Sequence, residues 1–139
     1  MDPRNRVKMS LRQLGRHAAM LGLTGLLALT SLSFGAVLTT EDEIRQAIVG
    51  NTVSGIEDGK SYTEYYQPDG SVHGEDPEGP YVGEWRIAGR HFCTRHFDED
   101  HSMSAWECMG VDINGSHFAW IEDGERYEAQ LVPGNPNKL

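Results

Sequence analysis

Hydrophobic and polar positions follow three successive rhythms along this chain. From Ala18 to Thr40 no residue is charged, and Ala18 to Leu32 is leucine-rich, with Leu21, Leu23, Leu26, Leu27, Leu29 and Leu32. Between Thr40 and Gly50 the pattern becomes helical, because Ile44, Ala47 and Ile48 fall on one face. Thr40 followed by Glu43 has the spacing of a capping box, and Gly50 can end the turn, so a helix is predicted over residues 41–49. Beyond Gly50 the period is two. Tyr81, Gly83, Trp85 and Ile87 share one face of an extended run, with Val82, Glu84 and Arg86 on the other. Tyr127, Ala129 and Leu131 repeat the pattern against Glu128 and Gln130. Asp58-Gly59, Asp69-Gly70, Asn114-Gly115 and Asp123-Gly124 are tight-turn dipeptides. They divide the chain into strands predicted near 52–57, 60–67, 70–73, 80–88, 90–97, 103–113, 116–122 and 125–132. Consecutive hairpins imply an antiparallel meander whose edges must close or be covered. The expected fold is all-β: a small antiparallel meander or barrel of about eight strands, preceded by one short helix and holding one disulfide.

Turn chemistry also predicts register. A two-residue Asn114-Gly115 loop pairs Ile113 with Ser116 and sets Asp112 against His117, a candidate cross-strand pair. Ile113, Val111, Met109, Phe118 and Trp120 then form one apolar face, the expected core. If Cys93 opposes Cys108, Phe92 faces Met109 and joins that face, with Asp98-Glu99-Asp100-His101 at the hairpin tip.

Charge adds an address. Arg4, Arg6, Lys8, Arg12 and Arg16 precede the uncharged stretch, and Ser33 and Gly35 put small residues where a signal peptidase reads. A basic start followed by a short apolar segment is the layout of a secretory signal peptide. We expect residues 1–35 to be that signal, cut after Gly35 or alternatively after Ser33, and residues 36–139 to form a single β-rich domain. A retained membrane anchor is the competing reading, since 23 uncharged residues could span a bilayer. The whole chain of 139 residues has a net charge of −9. Residues 1–35 hold five of the 12 basic side chains and one of the 21 acidic ones, so the remainder carries about −13. An acidic protein of this kind repels phosphate backbones and anionic membranes, so neither nucleic acid nor, after signal cleavage, a membrane is expected as a partner. Two cysteines in an exported chain read as one disulfide. With 14 residues between them, the bridge stabilises by about 3 kcal/mol in the chain-entropy view.

A resemblance adds to this reading. Leu38-Thr39-Thr40, Glu43-Ile44, Gly50-Asn51-Thr52, Tyr65-Tyr66-Gln67-Pro68-Asp69-Gly70, Gly83-Glu84-Trp85, Cys93 and Cys108 occur in this order. Together they resemble a class of small exported bacterial proteins of unknown function, with a short helix, a β-meander and a Trp…Cys…Cys core. The resemblance spans most of residues 38–113; it implies a periplasmic β-rich domain and no activity. Tyr81-Val82-Gly83-Glu84-Trp85 is also similar to a MORN-type hairpin repeat, but no second copy accompanies it.

The parts for most catalytic chemistries are missing. His96, Asp98, Asp100 and His101 could gather at one hairpin tip as a metal site or a partner loop, although their spacing matches no common ligand motif. Asp112 and His117 could orient an imidazole, yet no Gly-x-Ser-x-Gly elbow accompanies them. No Gly-rich loop opens a βαβ unit, and no cofactor is expected. The aromatic side chains are expected to fill the barrel, whereas a cavity of several hundred Å³ would favour a ligand carrier. The expected role is an exported, periplasmic or secreted, non-catalytic binding or interaction domain. Its partner is an unknown protein or small molecule of the cell envelope. An inhibitor of an envelope enzyme, a lipocalin-like carrier and a metal-binding protein are the alternatives; an enzyme is the weakest class.

Overall fold

The computed structural model describes residues 36–97, 102–114 and 117–139. The expected signal peptide, 1–35, lies outside them. The elements are strand β1 (Ala36–Val37), helix α1 (Glu41–Ile48) and strands β2 (Asn51–Glu57), β3 (Lys60–Tyr66), β4 (Ser71–Asp76), β5 (Gly79–Ala88), β6 (His91–His96), β7 (Glu107–Asn114), β8 (His117–Glu122) and β9 (Glu125–Pro133).

The helix starts where its cap predicts. Thr40 is extended, its hydroxyl accepts from the Glu43 N–H at 3.3 Å, and the Glu43 carboxylate accepts from the N–H groups of Thr39 and Thr40, both at 3.1 Å. These bonds satisfy amides that a helix start otherwise leaves unpaired. The helix ends because Gly50 turns to a φ of 80° and gives its N–H to the Tyr66 carbonyl, 2.8 Å away.

Strands β2 to β9 each pair antiparallel with the next, and β2 pairs with β9 from Asn51↔Pro133 to Gly55↔Ala129, which closes an eight-stranded barrel. β1 adds a short ninth strand alongside β7. Asp58-Gly59 and Asp123-Gly124 both have two positive φ angles, the geometry of tight hairpins, joining Glu57 to Lys60 and Glu122 to Glu125. Two strands depart from expectation. β4 runs on to Asp76, whose carboxylate accepts from the Glu78 and Gly79 N–H groups and builds the next turn. β7 begins at Glu107 rather than 103, because Ser104 bonds to the His96 backbone, and the Trp106 ring packs against the guanidinium groups of Arg86 and Arg95, at 4.3 and 4.5 Å.

Cys93 and Cys108 form the expected disulfide and are ladder partners, with Phe92 opposite Met109. The Asp112–His117 pairing is not observed. Asp112 faces Ala119, and the ladder closes at Asn114↔His117. The slip moves each partner by two positions, which keeps every side chain on its own face. Hydrophobic pattern therefore could not choose between the two registers, and the predicted apolar face survives. Val111, Phe118 and Trp120 are buried, with Met109 and Ile113 packed against them.

The core sits at the end where the helix lies. Helix α1 touches β2 on one side and β5 and β6 on the other, and it lowers Ile44 and Ile48, both 0% exposed, into the barrel. Beneath them Tyr66 meets Phe92 edge-on at 4.9 Å, Trp85 stacks on Phe92 at 5.5 Å, and Val53, Val72 and Phe118 complete a dry layer. Trp85 gives its indole N–H to the Gln67 carbonyl at 2.7 Å, so its polar atom is satisfied.

Candidate functional site

The other end is different in kind. There the strands finish at Glu57/Lys60, Asp76/Gly79, His96/Glu107 and Glu122/Glu125, and no helix covers them among the described residues. At these ends lies an open cavity of about 690 Å³ that runs from the lumen out over the rim, where Ile56, Ser61 and Pro80 also border it. The expectation that aromatic side chains fill the barrel therefore holds only at the helix end.

Three glycines shape the chamber. Gly55 faces Tyr62, Gly74 faces Tyr81, and Gly83 faces His96 across adjacent strands. A Cβ at Gly55 would lie 2.7 Å from the Tyr62 hydroxyl, one at Gly74 would collide with the Tyr81 ring, and one at Gly83 would lie 2.8 Å from His96 Cδ2 and against the Arg95 carbonyl. Glycine within a strand often marks such a close approach. The bare backbone lets each ring lie across its neighbour, and two of those rings reach the same acceptor.

That acceptor is Glu64, on the same face of β3 as Tyr62 and Tyr66. It is only 7% exposed. Tyr81 donates to its Oε1 at 3.0 Å, His96 Nε2 lies 2.9 Å from the same oxygen, and Tyr66 donates to Oε2. A buried carboxylate is costly to desolvate, and three donors offset that cost. The Tyr81 and His96 rings meet edge-on at 5.3 Å. Trp120 closes one wall and gives its indole N–H to the Tyr62 hydroxyl at 3.0 Å.

The electrostatics are one-sided. Burial, helped by the charge of Glu64, pushes the Tyr66 and Tyr81 phenols up, and burial drives Tyr62 up to about 12, so all three stay neutral. Burial works against a charged His96, yet the Glu64 hydrogen bond and charge, with Glu107 and Glu57 beyond, outweigh it and raise its pKa. Glu57 at the rim is pushed up first by desolvation and then by Glu107, Glu64, Asp58 and Glu122. Lys60, also at the rim, is paired with Glu78.

Of the residues assigned to a metal or partner loop, His96 turns into the chamber to meet Glu64, while Asp98, Asp100 and His101 lie outside the described residues. Among the described residues no three His, Cys, Asp or Glu side chains converge as a metal site. Asp112 and His117 stay apart. The Asp112 carboxylate is 5% exposed and pairs with Arg126, whereas His117 borders a shallow depression with Asn114 and Arg126. Sequence reasoning misses Glu64, and it takes Tyr66 and Tyr81 only as aromatic side chains that fill the barrel or line a pocket. Two signals pointed to them: glycines inside strands, and a carboxylate at the same parity as Tyr62 and Tyr66. Among the described residues no helix is long and apolar enough to cross a membrane. In comparisons with known proteins, no family model, curated protein or solved structure matches this chain.

Proposed function

We propose that this protein is an exported, non-catalytic binding barrel, periplasmic or secreted, that carries a small molecule in its lumen in the manner of lipocalins. The cavity carries this reading. At about 690 Å³ it falls within the ~300–1,000 Å³ of pockets that enclose small ligands. Its walls combine Tyr62, Tyr81, Trp120 and Met109 with a small number of placed polar groups, the usual make-up of such sites. Export is supported by the basic and then uncharged leader, and by a disulfide of the sort that persists in oxidising compartments. Binding rather than turnover is supported by the state of the polar cluster, since Tyr66, Tyr81 and His96 are already engaged with Glu64.

Titration of the purified protein with the uncharged fluorophore N-phenyl-1-naphthylamine tests the reading. Saturable binding with energy transfer from tryptophan is expected. Met109→Trp, which adds a ring to the chamber wall, is expected to weaken it while far-ultraviolet circular dichroism and the urea midpoint stay close to those of the parent. Absence of saturable binding by this fluorophore and by charged aromatic probes of similar size alike, or binding undiminished in a natively folded Met109→Trp protein, overturns the proposal.

A further inference from the structure

Resting on the carrier reading, we infer that the ligand is an organic cation, an ammonium group attached to an apolar or aromatic body. The cavity, its walls and its charge all favour this chemistry. Strand parity turns Glu57, Asp76, Glu107 and Glu122 toward the mouth, while Glu64, deeper inside, is already held by Tyr66, Tyr81 and His96. Among the described residues, the basic side chains lining the same space are Lys60 and His96, and each already has a carboxylate partner, Glu78 and Glu64. An anionic ligand would enter against this field with no unengaged cation among the described lining residues to receive it. A neutral ligand would leave the field unrelieved. A cation relieves it, and the low-dielectric walls strengthen the attraction.

The walls match the rest of such a molecule. Tyr62 and Tyr81 lie across glycines, and Trp120 and Tyr127 are ladder partners on the interior face, so ring surfaces border the space. Ring faces attract ammonium groups, and most strongly where water is excluded. Tyr127 and Phe97 remain about half exposed at the rim, at 46% and 47%, where they add apolar surface along the entrance. An apolar body with a cationic head thus finds rings for the body and carboxylates for the head in one chamber.

Three probes of matched shape test this by calorimetry: phenylpropyl-trimethylammonium, its uncharged isostere with carbon in place of nitrogen, and phenylbutyrate. The ammonium probe is expected to bind about tenfold or more tighter than the isostere, the scale of a desolvated cation–π contact with a carboxylate nearby, and phenylbutyrate is expected not to bind. The rim double variant Glu107→Gln/Glu122→Gln should remove most of the ammonium preference and leave the isostere unchanged. Equal binding of ammonium probe and isostere, or a preference for phenylbutyrate, overturns the cation inference while leaving the carrier reading intact. Failure of these probes and of the uncharged fluorophore overturns both.

Discussion

The two ends of the barrel are built from the same eight strands with the same alternation, yet their interiors are opposites. At the helix end the inward positions carry Val53, Val72, Phe92, Val111 and Phe118 under Ile44 and Ile48. At the open end they carry Glu57, Glu64, Asp76, His96, Glu107 and Glu122 around a cavity. The contrast shows how a small barrel divides its labour. Apolar packing at one end supplies the burial that folding needs, which allows the other end to keep charge and space. The helix makes the division possible, since it seals one mouth with two side chains, while no helix covers the other among the described residues.

The sharpest way to break the comparison is to damage one end at a time. Phe92→Ala removes a ring at the centre of the dry layer and is expected to cost about 3–5 kcal/mol in urea denaturation. Glu122→Gln at the mouth is expected to stay within about 0.5 kcal/mol of the parent. If the mouth variant proved as costly as the core variant, the open end would be structural. Next in size is the staple. Replacing both Cys93 and Cys108 by Ser is expected to cost about 3 kcal/mol by the same measurement, mainly by freeing the unfolded chain.

The smallest effect is the most discriminating, because the two ends should respond to pH in opposite directions. Backbone hydrogen bonds from Thr39, then the Thr40 hydroxyl and backbone, hold the Glu43 carboxyl below its ordinary 4.5. Its contribution to stability is thus present above that value and lost as pH falls through the lowered one. His96 is raised above its ordinary 6.5, so its contribution is full below 6.5 and is lost as pH rises through the higher value. Nuclear magnetic resonance titration should place the Glu43 midpoint below 4.5 and the His96 midpoint above 6.5. In Glu64→Gln the His96 midpoint should fall. A His96 midpoint at or below 6.5 in the parent protein would show that burial wins and that Glu64 does not hold the ring charged.

Much of the fold was readable from local chemistry. Thr40 and Glu43 marked the helix start, the Asp-Gly pairs placed two hairpins, and alternation placed the strands with small errors at their ends. The Cys93–Cys108 pairing brought Phe92 to Met109 as expected. The Asn114 register was not readable, because both alternatives bury the same five apolar side chains and only neighbouring ladders separate them. The candidate site was least legible. A lone Glu64 in a strand looks like a solvated position until the barrel closes around it. Its three donors come from positions 66, 81 and 96, a convergence that strand closure creates and no short motif contains.

The glycine–ring pairing has a consequence for how this chamber could diversify. Each pair contributes one ring and one bare backbone position, so exchanging the two residues conserves bulk while moving a hydroxyl to the adjacent strand. Gly55 with Tyr62 and Gly74 with Tyr81 are two such exchangeable couples, whereas at Gly83 the Arg95 carbonyl would still block a side chain after His96 is removed. A descendant barrel could rearrange its donor pattern by reciprocal swaps, at nearly constant volume, without rebuilding the strands around it.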